Sequence, residues 1–148
     1  MKHLFLLVTI VVLAAAAQLT LAGGFPKRVH YVGHDAAAAA FVKGGRIIED
    51  EGLVVVANRG SQREAELHAK TNHVFIIVDG EAEFVTGGTI VNGKEISPGQ
   101  TRGPQIKGGQ AHHLSKGDVI TVPAGTAHQW TDTSKTGSVA YYAVNFEP

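Results

Sequence analysis

From residue 52 to the C-terminus the chain is a succession of short apolar runs cut by turn residues. Strand-forming runs fall at 52–58, 64–69, 73–78, 82–86, 119–122, 127–131 and 139–146, and the turn signals "NRGS", "AKTN", "VDGE", "SKGD", "PAGT" and "TSKTG" separate them. Short strands at near-regular spacing, with Gly and Pro between them, predict an all-β sandwich or barrel. Most of the 18 glycines lie after Gly44, as that many turns require. The stretch 87–109 is rich in Gly and Pro and poor in apolar residues, and reads as an extended loop with one or two short strands. One helix precedes the strands. "HDAAAAAFVKGG" offers Asp35 as an N-cap, an alanine run with Phe41, and Gly44-Gly45 as the stop. It is too short to stand alone in water and must pack on the sheet.

The N-terminus has a different character. Met1-Lys2-His3 is followed by an apolar run to Ala17, broken only by Thr9, and then by "QLTLA". Thr20 and Ala22 have the −3 and −1 spacing of a signal-peptidase site, so residues 1–22 read as a secretory leader and 23–148 as one domain, secreted or periplasmic. Lys plus Arg equals Asp plus Glu at 13 each, which leaves no basic field for nucleic acid. No membrane association is expected once the leader is removed. There is no cysteine, so the core, a metal or a partner must hold the exported domain instead of disulfides.

"ELHAKTNHVFIIVDG" places a glutamate and two histidines within eight positions. Residues two apart on a strand share a face, so Glu66 and His68 point the same way. Lys70-Thr71-Asn72 can turn the chain, and His73 opens the next strand with Phe75 and Ile77 on its own face. The opposite face, Val74, Ile76 and Val78, is apolar too, so this strand lies inside the fold and His73 faces an interior. On this reading Glu66, His68 and His73 converge across one hairpin.

A second segment, "KGDVITVPAGTAHQWTD", carries Gly117, Pro123, Gly125 and His128 at the spacing G-x5-P-x-G-x2-H. It resembles the second motif of the cupin superfamily, with Asp132 where that pattern continues with Asn. The first cupin motif, H-x-H-x(3 or 4)-E-x6-G, can be laid back from Gly80. Its glutamate slot then falls on His73 and its histidine slots on His68 and Glu66, so the first His and the Glu have traded types. "FVTGGTIV" and "ISPGQTRG" also resemble stretches of small one-domain bacterial cupins. The resemblance implies a cupin jelly-roll barrel with a short N-terminal helix. It implies one divalent transition metal (Fe, Mn, Cu, Zn or Ni) bound by Glu66, His68, His73 and His128. The exchange keeps three imidazoles and one carboxylate, and an ion is indifferent to which strand carries the carboxylate. Four protein ligands on an octahedral ion leave two positions for water, dioxygen or substrate.

Phe75, Trp130 and Tyr142 are expected to wall the pocket. His112 and His113 read as a surface strand with at most one ring inward, His30 and His34 as edge residues, and "RGPQIKGG" as a solvated loop rather than an anion site built on Arg102. The expected function is an exported mononuclear metal-dependent cupin enzyme acting on an oxygen-rich small molecule or saccharide, with oxidative chemistry ahead of isomerase or lyase chemistry. The alternative is a secreted, non-catalytic module that binds metal or ligand. A homodimer through edge strands is expected, since pairing hides unpaired backbone.

Overall fold

The computed structural model describes residues 26–60, 64–133 and 139–147. Among these, helix α1 (His34–Lys43) is followed by thirteen strands. They are β1 (Gly45–Asp50), β2 (Leu53–Arg59), β3 (Ala65–His68), β4 (Asn72–Asp79), β5 (Glu81–Thr86), β6 (Thr89–Val91), β7 (Lys94–Ser97), β8 (Gln100–Gly103), β9 (Gln105–Lys107), β10 (Gln110–Ser115), β11 (Val119–Val122), β12 (His128–Thr133) and β13 (Ala140–Phe146). One sheet has the order β1-β2-β13-β4-β11, the other β10-β5-β12-β3-β8-β7, and β6 and β9 pair by themselves. Every pairing is antiparallel. The result is a two-sheet sandwich, as the run of short strands predicts, with the jelly-roll form that the cupin resemblance implies.

Alternation along β4 fixes what each face meets. His73, Phe75 and Ile77 are buried, with partly buried residues between them. Phe75 and Ile77 join Phe84, Leu114, Val122, Trp130, Val139 and Tyr141 in one core between the sheets. Phe75 meets Phe84, Trp130 and Tyr141 edge-on at centroid distances of 5.4, 5.8 and 5.7 Å, a favoured arrangement of aromatic rings.

Several expectations change. β3 and β4 do not form a hairpin: β3 bonds to β12 and β8, and β4 to β13 and β11, in different sheets. Both edges of β4 are taken by other strands, so residues 69–71 cross from one sheet to the other. The stretch 87–109 holds four strands, β6 to β9, rather than one or two. Its polar side chains hide the pattern, and backbone pairing supplies the order. The helix starts two residues earlier than expected: Gly33 is the N-cap, with no side-chain cap bond, and Asp35 sits in the first turn, where a negative charge still favours the helix dipole. Its stop is as expected, with Gly44 at φ 68° donating its N–H to Ala40 O at 2.7 Å. The helix buries no residue fully, and Phe41 docks on Tyr142 at 4.8 Å between ring centroids. The leader expectation for residues 1–22 lies outside the described residues. Among the described residues no helix is long and apolar enough to cross a membrane.

Candidate metal centre

Glu66 stands in the middle of a ladder across the second sheet. It is paired in register with His128 of β12 on one side and Arg102 of β8 on the other. His68 follows two residues on, on the same face. His73 approaches from the opposite sheet. The three imidazoles therefore meet across the sandwich, with ring centroids 4.8 Å (His68–His73), 4.9 Å (His73–His128) and 5.7 Å (His68–His128) apart.

Local hydrogen bonds hold the two motifs together. In the turn before β12, Ala124 N–H donates to Asn72 Oδ1 at 3.0 Å and Gly125 N–H to His68 O at 2.8 Å. Gly125 has φ 78°, a left-handed conformation that glycine adopts without steric cost. The turn that positions His128 is thus fastened to the residue before His73 and to His68 itself.

The same economy fixes the imidazole tautomers. His73 Nδ1–H donates to Asn145 Oδ1 at 2.8 Å, and His128 Nδ1–H to Thr126 O at 3.1 Å. With Nδ1 protonated in each, Nε2 is left with its lone pair. His73 Nε2 is buried and has no hydrogen-bond partner. This is the arrangement a histidine ligand needs, with the far nitrogen held by an oxygen acceptor and the near one free. Burial holds His73 neutral to about pH 4 against the opposing Asn145 bond, and burial likewise lowers the pKa of His128 against the Thr126 bond. Both present lone pairs at neutral pH.

The donor atoms of His68, His73 and His128 all lie within 4.8 Å of one another, so these three residues could hold a metal ion. Donors sharing one ion at 2.0–2.2 Å stand about 3 Å apart. Glu66 Oε2 lies 3.4 Å from His68 Nε2 and 3.9 Å from His128 Nε2. Burial pushes the Glu66 carboxyl up, but the His68 bond and the charges of Arg102, His128 and His68 outweigh it and leave its pKa below the usual value. The carboxylate is therefore ionised beside the three imidazoles, while its other oxygen faces Arg102 at 3.0 Å.

The cavity that reaches these residues has a volume of about 260 Å³ and is lined by Glu64, Glu66, His68, His73, Arg102 and His128, with Phe75, Trp130 and Tyr141 as its aromatic wall. Phe75 and Trp130, two of the three expected wall residues, line this cavity. The third is corrected: Tyr141 lines the cavity, while Tyr142 points to the other side of its sheet and packs under α1. Strand parity is the reason. Tyr141, Ala143 and Asn145 share the inward face of β13 and all line the cavity. Asn145, polar in an apolar strand, was the available signal for that face. Arg102 lines the cavity too, contrary to the expectation of a solvated loop, and β8 has no apolar alternation to announce it. Asn58, which donates to Tyr141 Oη at 3.3 Å, and Gln129 also line the cavity without having been anticipated. His113 is exposed and bonds Glu83 at 2.7 Å, whereas His112 is half-buried and meets Thr86 Oγ1 at 2.9 Å.

The family model "Cupin" matches residues 48–147, and the chain belongs to the cupin family. Solved structures agree on the fold. A protein of Bacillus halodurans is 15% identical, with 80% of this chain and 81% of that one covered at a TM-score of 0.58. A Klebsiella pneumoniae protein with a double-stranded β-helix domain is 19% identical over 70% of this chain and 75% of its own, at a TM-score of 0.50. Hydroxypropylphosphonic acid epoxidase from S. wedmorenis is 18% identical over 70% of this chain, at a TM-score of 0.52. This chain spans only about half of that enzyme's length, 49%. No curated protein matches the sequence.

Proposed function

We propose that the chain is an exported, mononuclear metal-dependent cupin enzyme in which His68, His73, His128 and Glu66 bind one divalent ion. The observation that carries the reading is the pair of buried imidazoles with Nδ1 committed to oxygen acceptors and Nε2 turned to a common point beside an ionised carboxylate. When bound, the ion supplies Lewis acidity toward an oxygen of a small ligand. The rest is done by the protein. Asn145 and the Thr126 carbonyl fix the imidazoles, Glu66 offsets the ion's charge, and Phe75, Trp130 and Tyr141 keep water from the cavity floor. The substrate is an oxygen-rich small molecule, and the cavity volume of about 260 Å³ favours one no larger than a monosaccharide. An oxidative reaction is the leading class, ahead of isomerisation or elimination. Homodimerisation through an edge strand belongs to the same proposal.

The test is metal uptake. Purified protein should bind one equivalent of divalent ion, and His128→Ala should weaken that binding about a hundredfold or more, because it removes the ligand from the second motif. Equal binding by both proteins would remove the reading. The second reading, a non-catalytic ligand-binding module, draws on the ion pair that already engages Glu66, 3.0 Å from Arg102. Water-proton relaxation of manganese-loaded protein separates the two, since an enzyme keeps an exchangeable water on the ion and a closed structural site does not.

A further inference from the structure

The contact between Glu66 and Arg102 is an ion pair without a directional bond. Arg102 Nη2 lies 3.0 Å from Glu66 Oε1, yet Glu66 Oε1 and Arg102 Nε are both buried without a hydrogen-bond partner. Arg102 Nη1 donates to Glu64 Oε2 at 3.3 Å, a long bond to a residue more than half exposed. The guanidinium therefore faces the cavity with hydrogen-bonding capacity unspent. Its register opposite Glu66 puts it one side chain away from the three imidazoles.

Charge completes the argument. Imidazoles that ligate a metal are neutral, so the charged groups of the site are the Glu66 carboxylate and the Arg102 guanidinium, with the more exposed Glu64 at its margin. A divalent ion would leave it net positive, and a desolvated positive site favours an anion. Glu66 lies between Arg102 and the imidazoles, with Oε1 3.0 Å from the guanidinium and Oε2 3.4 Å from His68 Nε2. A small ligand that spans the same interval carries an oxygen donor a few bonds from an anionic group. Arginine is the side chain whose fork matches a carboxylate with two N–H groups.

We infer that Arg102 selects the substrate, and that the substrate is a small carboxylic acid bearing a nearby hydroxyl or carbonyl oxygen, bound with its carboxylate on Arg102 and that oxygen toward the His68–His73–His128 cluster. Glu64 is the competitor that holds Nη1 until the carboxylate displaces it. This inference rests on the metal reading above, and its test separates the two.

The experiment uses the full chain loaded with zinc and freed of excess metal, titrated calorimetrically with glycolate and with glycolamide, its neutral isostere. The wild-type protein should prefer glycolate by about tenfold or more, the worth of a charge-assisted pair in a partly buried site. Arg102→Gln should keep zinc stoichiometry and lose that preference, and Arg102→Lys should retain only part of it. Glu64→Gln alters an exposed side chain and keeps the fold, and by releasing Nη1 it should tighten glycolate, but not glycolamide, by about threefold. Equal affinity of the two ligands for zinc-loaded wild type, or a Glu64→Gln titration identical to wild type, overturns the inference while leaving the metal site intact. If the wild-type protein takes up no zinc, the metal reading falls. The same two titrations on metal-free protein then decide Arg102 alone, and glycolate preference abolished by Arg102→Gln upholds it.

Discussion

The two ends of the sandwich interior share strands and differ in chemistry. At one end β4, β5 and β10 contribute Ile77, Phe84 and Leu114, and the space is filled by apolar side chains. At the other end β4 contributes His73, β13 Asn145, β3 Glu66 and His68, β8 Arg102 and β12 His128, and the space is a cavity. His73 and Ile77 lie on the same face of one strand, four residues apart. The filled end removes apolar surface from water and stabilises the fold. The cavity end keeps polar atoms out of water with incomplete pairing, an arrangement that costs stability and that binding can satisfy.

The largest effect should come from the filled end. Phe84→Ala removes a ring with no solvent exposure and should lower unfolding free energy by about 3–5 kcal/mol in urea denaturation. A loss below about 1 kcal/mol would mean that the filled end does not carry the fold. Asn145→Ala sharpens the contrast at an intermediate scale. It should weaken metal affinity about 10- to 100-fold by releasing the His73 ring, while costing the metal-free protein only about 1 kcal/mol. If affinity is unchanged while stability falls sharply, Asn145 belongs to the structural end. The smallest effect is expected outside both. His113→Asn should leave metal binding untouched. Its bond to Glu83, together with the charges of Glu83 and Glu81, raises the His113 pKa. Any stabilisation from that cluster is therefore full below the ordinary histidine pKa and is lost as pH rises through the raised value. A melting-temperature difference between wild type and His113→Asn should appear only on the acid side. A difference that grows toward alkaline pH would contradict the assignment.

The segments that bury apolar residues were legible because burial imposes a period. β4 and β13 announce themselves, and β11 falls at 119–122 as its sequence suggested. β7 and β8 do not, since β7 is exposed throughout and β8 is built of polar residues and glycine, which carry no apolar period. That blindness hid Arg102. At the site, the spacing of Gly117, Pro123, Gly125 and His128 and the cluster of Glu66, His68 and His73 could be read without coordinates. The route by which they meet could not, because a short turn sequence is compatible with a return in the same sheet or a crossing to the other.

The linear chain determined which residue types were available. It supplied enough alternating apolar runs for a two-sheet fold, three histidines and a carboxylate at motif spacing, and an unusual order of those types. Only the tertiary structure decided their relations. It set His73 opposite His68 across the sandwich, chose Tyr141 over Tyr142 for the cavity wall, gave each buried imidazole its oxygen partner and brought Arg102 beside Glu66. The reason is physical: side-chain type and local period are properties of neighbouring residues, whereas strand pairing and the partners of buried polar groups depend on which distant segments the sheets bring side by side.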